Sequence, residues 1–319
     1  MTLKISSFKF KTKSNKNKNE IRKINYEILN QISKTNENII TLSADLSSST
    51  KVLINDGGTY SNLNRLGKNI SLGIREHAMG AIANGIALHG GLVPVCSTFL
   101  VFSNYMLPAI RMAGIMNLPV IFTFSHSAGY EIGDGITHVP IEQLDQLRLI
   151  PKITTFRPYD MVECEASYKW FFENLKPMCL CVSKSVIDPI NSKEDMSVGA
   201  YFITNDKADI NIVSSGADVQ IAMELKEELK KDNINANVVS MLSFEVFENQ
   251  THKVKSKFLN KSLFVVEAST CAKYLKYTDE KKIFNLTQFG ITGDVKSVKS
   301  YFGFDLKNLV NKIKKALNK

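Results

Sequence analysis

The sequence predicts an α/β fold made of two doubly wound domains, each a mostly parallel sheet with helices on both faces. Three observations predict it. Short apolar strands alternate with helical runs from about residue 20 to residue 183. A polar stretch, Asp188-Pro-Ile-Asn-Ser-Lys-Glu-Asp195, then breaks the pattern. A second, shorter alternation starts at Ile210. The chain has 319 residues, 44% of them hydrophobic, which suffices for a packed core in each of two units. We therefore expect a basic tail over 1–19, a first domain over 20–190 and a smaller second domain over 191–319.

Ile21, Ile24, Ile28 and Ile32 recur at helical spacing and predict an amphipathic helix over 20–34. Asn38 to Leu42 reads as a short apolar strand that empties into the hydroxyl-rich loop 43–50. Strand and helix then alternate: 69–72, 75–89, 92–97, about 100–117, and 119–125. Met79, Ile82 and Ile86 mark the helix 75–89, and Gly90-Gly91 stop it. The loop 126–140 is long and carries glycines, which in a compact domain points to function. A helix near 142–148, a strand at 153–157, a helix at 160–174 and a strand at 178–183 close the first unit. The second unit has strands at 210–216, 236–241 and 263–267, a helix over 217–231 and a lysine-rich helix over 305–317. No catalytic cluster stands out in it.

The net charge of +9 is concentrated at the start, where eight basic residues before residue 24 face Glu20 alone. A tail of Lys, Asn and Ser lacks the apolar content to pack, so it reads as disordered or laid on a partner. No aromatic stacking set accompanies the lysines, so nucleic acid is not an expected partner. No apolar run reaches membrane-spanning length and no secretion signal opens the chain, so membrane association is not expected. The five cysteines form no zinc-type pairs and read as reduced, packed residues of a cytoplasmic protein.

Chemistry gathers around Gly73-Ile-Arg-Glu-His-Ala-Met-Gly80. Glu76 falls in the first turn of a helix, where a carboxylate suits the helix dipole. Alone, it is an ordinary acidic first-turn residue. Its company changes that reading: Asn84-Gly-Ile-Ala-Leu-His-Gly-Gly91, then Ser97-Thr-Phe-Leu-Val-Phe-Ser-Asn-Tyr-Met106, then His126 and Gly133-Asp-Gly-Ile-Thr-His-Val-Pro140. Together these motifs resemble the pyrimidine-binding domain of transketolase. The likeness extends more weakly from about Arg22 to the C-terminus, where the chain is similar to the transketolase C-terminal domain.

The resemblance implies a thiamine-diphosphate enzyme that moves a two-carbon ketol unit from a ketose to an aldose. It gives Glu76 the hydrogen bond to the pyrimidine ring nitrogen, a role that wants a dry pocket. It makes Phe99, Phe102 and Tyr105, which recur every third residue as on one side of a helix, the aromatic faces for the ring; a plain core stripe is the bland alternative. It sets Asp45 beside the thiazolium ring and His138 near the cofactor, with His138 and Glu76 the catalytic pair. His126 and Asp134 match substrate-facing positions, and Arg22 and Ser49 match phosphate contacts. Lys184 follows Ser183 where the family usually has Arg; it keeps the charge and loses the fork. The letters around His126 and His138 also differ from the usual ones, and these departures fall on the substrate side.

Gly133-Asp134-Gly135 looks like the family's diphosphate metal signature, but residues 160–165 read Asp-Met-Val-Glu-Cys-Glu with no Asn. No metal ligand is predicted in this chain. Mg2+ or Ca2+ would then be held by a partner, an N-terminal diphosphate-binding subunit. The expected assembly is an α2β2 heterotetramer containing a homodimer of this chain and acting on small sugars. The alternatives are the beta subunit of a 2-oxo-acid dehydrogenase or deoxyxylulose-phosphate-synthase type enzyme, and a non-catalytic scaffold.

Overall fold

The structure, a computed structural model, describes residues 18–131, 133 and 135–318. Most of the expected tail, 1–17, lies outside these residues, but its end does not behave as a tail. Asn19–Glu20 pair antiparallel with Val186–Ile187, and Lys18 reaches Asp188 at 2.9 Å. A backbone ladder satisfies N–H and C=O groups whatever the side chains, so apolar content could not reveal it.

The first helix, α1 (Ile21–Thr35), buries its isoleucine stripe. The sheet that follows has β1 (Ile39–Ser43), β2 (Asn69–Ser71), β3 (Val93–Phe99), β4 (Ile121–Ser125), β5 (Thr154–Phe156) and β6 (Met178–Cys181), in the order β2-β1-β3-β4-β6-β5. Every pairing is parallel. Strands β1, β3, β4 and β6 are buried along their whole length, because helices cover both faces. The crossovers are α2 (Glu76–His89), α3 (Ser103–Met116), α4 (Gln143–Leu149) and α5 (Met161–Asn174). From β1 the chain goes to β2 on one side and then to β3 on the other. That reversal opens a crevice at the strand carboxyl ends, where α/β sheets bind ligands.

Helix α2 does not bury the stripe the sequence suggested. Met79 is buried, but Ile82 faces solvent and Ile86 is half-buried. The inward face is Glu76, Met79, Gly80, Ala83, Asn84 and Ala87, a run of small residues laid against α3. Contact is so close that a Cβ on Gly80 would sit 2.8 Å from the Ala109 Cβ and from the Met106 Cγ.

The second sheet has β7 (Tyr201–Phe202), β8 (Ile210–Ser214), β9 (Ala236–Ser240), β10 (Ser262–Val266) and β11 (Ile283–Phe284), in the order β11-β10-β8-β9-β7. Only β7 is antiparallel. Its helices are α6 (Asp218–Lys231), α7 (Phe244–Glu248), α8 (His252–Leu259), α9 (Val295–Tyr301) and α10 (Leu306–Ala316). All five cysteines are buried and free. No helix among the described residues is long and apolar enough to cross a membrane.

Candidate active site

Four strand ends deliver the site. The chain leaves β1 into Asp45, which adopts φ +61°, and its carboxylate accepts a bond from the Gly73 N–H at 3.2 Å. This ties the β1 exit to the turn that starts α2. Gly73 itself is at φ +70°, a conformation glycine adopts without strain, and it swings the chain into the helix. Glu76 is then the first residue of α2, only 7% exposed, and accepts a long bond of 3.4 Å from Thr98 Oγ1 on β3.

The aromatic set is built differently from one helical side. Phe99 is the last residue of β3, Phe102 closes a 3-10 turn, and Tyr105 lies in the first turn of α3. The period of three arises because strand end, tight turn and helix start follow each other without a loop. The Phe99 and Phe102 rings lie nearly parallel, 9° apart with centroids at 5.8 Å, and Tyr105 sits 6.2 Å beyond Phe102. Phe102, Tyr105, Glu76, Asp45 and His138 all line one cavity of about 890 Å³, while Phe99 lies behind Phe102, 5.8 Å from it, and outside the lining.

His138 ends a short 3-10 turn, with its ring 5.3 Å from that of Phe102 and its Nδ1 3.0 Å from Thr137 Oγ1. His126 follows β4 with φ +58°, and its ring packs 3.9 Å from that of Phe99. Its Nδ1 is 2.8 Å from Ser125 Oγ. Burial, reinforced by the charges of Arg22 and Lys184, pushes its pKa down to about 3, so the ring is neutral at ordinary pH. Arg22 donates to the Ser49 carbonyl at 2.6 Å and to Glu20 at 2.7 Å, so Ser49 meets it through its backbone. Asp134 lies outside the described residues. Among the described residues, no group of three or more His, Cys, Asp or Glu is gathered that could hold a metal ion.

Sequence reasoning missed how the loop after β4 is held. Ala128, Tyr130, Val139 and Ile141 are part of the second domain's core. Tyr130 OH donates to Asp218 at 2.7 Å, and Arg157 bridges Asp218 (2.5 Å) to the Ser127 carbonyl (3.1 Å). The second domain therefore grips the loop that bears His126. Glu131, also unnoticed, joins that loop to residues 183–185. A lone glutamate in a glycine-bearing loop gives no signal of this, since its partners lie more than fifty residues on.

Fold and site define a doubly wound α/β protein with a carboxylate, aromatic rings and histidines around one crevice at a topological switch point. Family comparison makes this specific. Residues 17–189 match the transketolase pyrimidine-binding domain and residues 199–305 the transketolase-like C-terminal domain. The chain belongs to the transketolase family. Transketolase of Bacillus subtilis (strain 168) is 35% identical over 306 residues, covering 92% of this chain and 46% of that protein. The crystal structure of transketolase from Campylobacter jejuni superimposes with a TM-score of 0.89 at 35% identity, over 98% of this chain and 48% of that one. The chain thus spans about half the length of these relatives. A structure described as a split gene transketolase, an inactive beta4 tetramer, shares the fold at 22% identity and a TM-score of 0.73, over 94% of this chain and 98% of that one.

Proposed function

We propose that this chain is the pyrimidine-side subunit of a thiamine-diphosphate-dependent transketolase and acts with a separate diphosphate-binding subunit. The observation that carries the reading is the cavity in which the buried Glu76 carboxylate stands with Phe102, Tyr105, Asp45 and His138. A flat heteroaromatic ring needs apolar faces and one hydrogen-bonding partner for its nitrogen, and the lining offers both. When bound, thiamine diphosphate supplies an acidic ring carbon that becomes the carrier of the two-carbon unit.

The chain's own residues then have distinct tasks. Glu76 holds a proton at the ring nitrogen, with Thr98 orienting its other oxygen. Phe102 and Tyr105 flank the ring and exclude water, and Phe99 backs Phe102. Asp45, at the rim, fixes the turn before α2 and faces the thiazolium side. His138 faces the reacting end of the substrate. Neutral His126, with Asp134, meets sugar hydroxyls. Arg22 and Lys184 supply cationic charge for an anionic substrate end, and Ser49 keeps Arg22 in place. The metal ion, Mg2+ or Ca2+, is assigned to the partner. The proposed assembly is two of each chain. The fold shared with the split gene transketolase over nearly the full length of both chains supports that division.

The test is to mix the chain with a diphosphate-domain subunit and compare Glu76→Gln with the unaltered protein. The amide keeps the shape and lacks the acidic proton. Ketol transfer and deuterium exchange at the acidic ring carbon should fall together, by roughly two to four powers of ten. Near-normal exchange in the variant would reduce Glu76 to a first-turn glutamate and remove the basis of the reading.

A further inference from the structure

We propose that Glu131 is a positioning residue that locks the His126 loop to the Lys184 loop and so fixes the backbone that carries Lys184 relative to His126. The carboxylate is 6% exposed and meets five donors. Its Oε1 accepts from the Ala128 N–H at 3.1 Å. Its Oε2 accepts from the Lys184 N–H at 3.0 Å, the Ser185 N–H at 2.9 Å, Ser185 Oγ at 2.8 Å and Ser183 Oγ. Ser183 in turn accepts, through its carbonyl, the Arg22 N–H at 2.9 Å. One buried carboxylate therefore gathers the loop after β4, the loop after β6 and the start of α1.

These three segments carry His126, Lys184 and Arg22, and both cations act on the His126 ring. An ionised carboxylate is acceptor-only, with about two lone-pair sites on each oxygen, so the four donors of 183–185 crowd Oε2 while the Ala128 N–H alone holds Oε1. Charge-assisted bonds of this kind are short and directional, which suits the holding of backbone more than the binding of a mobile ligand. Lysine also needs this help more than arginine would. Its point charge has no fork to set its own geometry, so the backbone beneath it must be fixed instead. A glutamate at 131 and a lysine at 184 thus form one device.

The inference rests on the transketolase reading for its kinetic arm only. In Glu131→Gln, one oxygen becomes an NH2 group facing either the donors of 183–185 or the Ala128 N–H. Hydrogen exchange on the full chain should show the Lys184 and Ser185 amides exchanging at least about tenfold faster, the scale of losing one charge-assisted bond. In the assembled enzyme, KM for a phosphorylated aldose should rise roughly tenfold, and KM for an unphosphorylated aldose, which meets His126 but needs no cation, should rise by clearly less. Unchanged amide exchange overturns the proposal, as does an equal rise for both acceptors. If the unaltered assembly transfers no ketol unit, the transferase reading fails and amide exchange alone decides the role of Glu131. Should Glu131→Gln not fold, Ser185→Ala removes a single donor. It should still speed exchange at 184 and 185, and normal protection there overturns the proposal.

Discussion

His126 has a left-handed backbone, a ring pressed on Phe99 and 3% exposure. A cation there would lose its hydration and face Arg22 and Lys184, so burial first and those charges second hold its pKa at about 3. In the unfolded chain the same ring titrates near 6.5. The folded value is depressed, so the native state binds fewer protons than the unfolded one between these two values. Stability tied to His126 is therefore complete above about pH 6.5 and lost as pH falls toward 3. NMR of the His126 ring should show no titration between pH 5 and 8, a window set by the reference histidine value. A midpoint of 6 to 7 would mean that the ring is wetter than the structure has it. If the ring stays neutral, an acid limb near pH 6 in the activity profile has to come from another group.

At the scale of elements, the crossing of α2 and α3 sets the width of the crevice. Glu76 and Tyr105 each lie one turn before the contact between Gly80 and Ala109. A methyl group on Gly80 would meet the Ala109 Cβ, which is fixed to the backbone of α3 and cannot swing away. Gly80→Ala should therefore destabilise the protein by about 1–3 kcal/mol, read from the denaturation midpoint. Gly85→Ala is the control, because nothing lies within 4 Å of its Cβ position, and alanine there should gain about 0.5–1 kcal/mol of helix propensity. Equal behaviour of the two variants would refute the tight crossing. The sequence announced α2 through its glycine stops and α1 through its isoleucines, because those are local patterns. It misjudged the buried face of α2, because small residues carry no hydropathy signal and only the approach of α3 makes them a contact surface. Strands β7 and β11 have two residues each, too short for any period to show. The parallel order of the first sheet could be expected from alternation, and so could Glu76 in a first turn. Glu131, Thr98 and Arg157 could not, since their roles depend on partners brought together only by folding.

At the scale of the whole molecule, the second domain is the wall against which the site loop is fastened, so the join between the two units bears on the chemistry. That join is polar. Arg148 meets Glu267 with two bonds, of 2.6 and 3.1 Å, and Arg157 meets Asp218, all four residues being buried. Burial opposes charge on Glu267, yet Arg148 and Arg157 outweigh it and hold the carboxyl down at about 2. Glu163 has no such cation. Its Oε1 accepts from Tyr201 OH at 2.8 Å and Ser240 Oγ at 2.6 Å, both in the second domain, and its Oε2 from the Tyr159 N–H at 2.6 Å. Burial raises its pKa to about 7, and the neighbouring Asp160 pushes it the same way. The folded state thus keeps a proton that the unfolded chain, near 4.5, has already lost. By linkage, this carboxyl subtracts stability as pH rises from about 4.5 to 7 and changes little beyond. His126 acts in the opposite direction over part of that range, so the total slope does not isolate Glu163. A variant does. In Glu163→Gln the amide oxygen can accept from Tyr159 while its NH2 donates to the Tyr201 and Ser240 hydroxyls, which imitates the protonated acid. Relative to the unaltered chain, the variant should gain roughly 1–3 kcal/mol between pH 5 and pH 8, as a difference in denaturation free energy. A difference that does not change with pH would show that Glu163 is ionised without penalty, and that the join between the domains is wetter than its burial says.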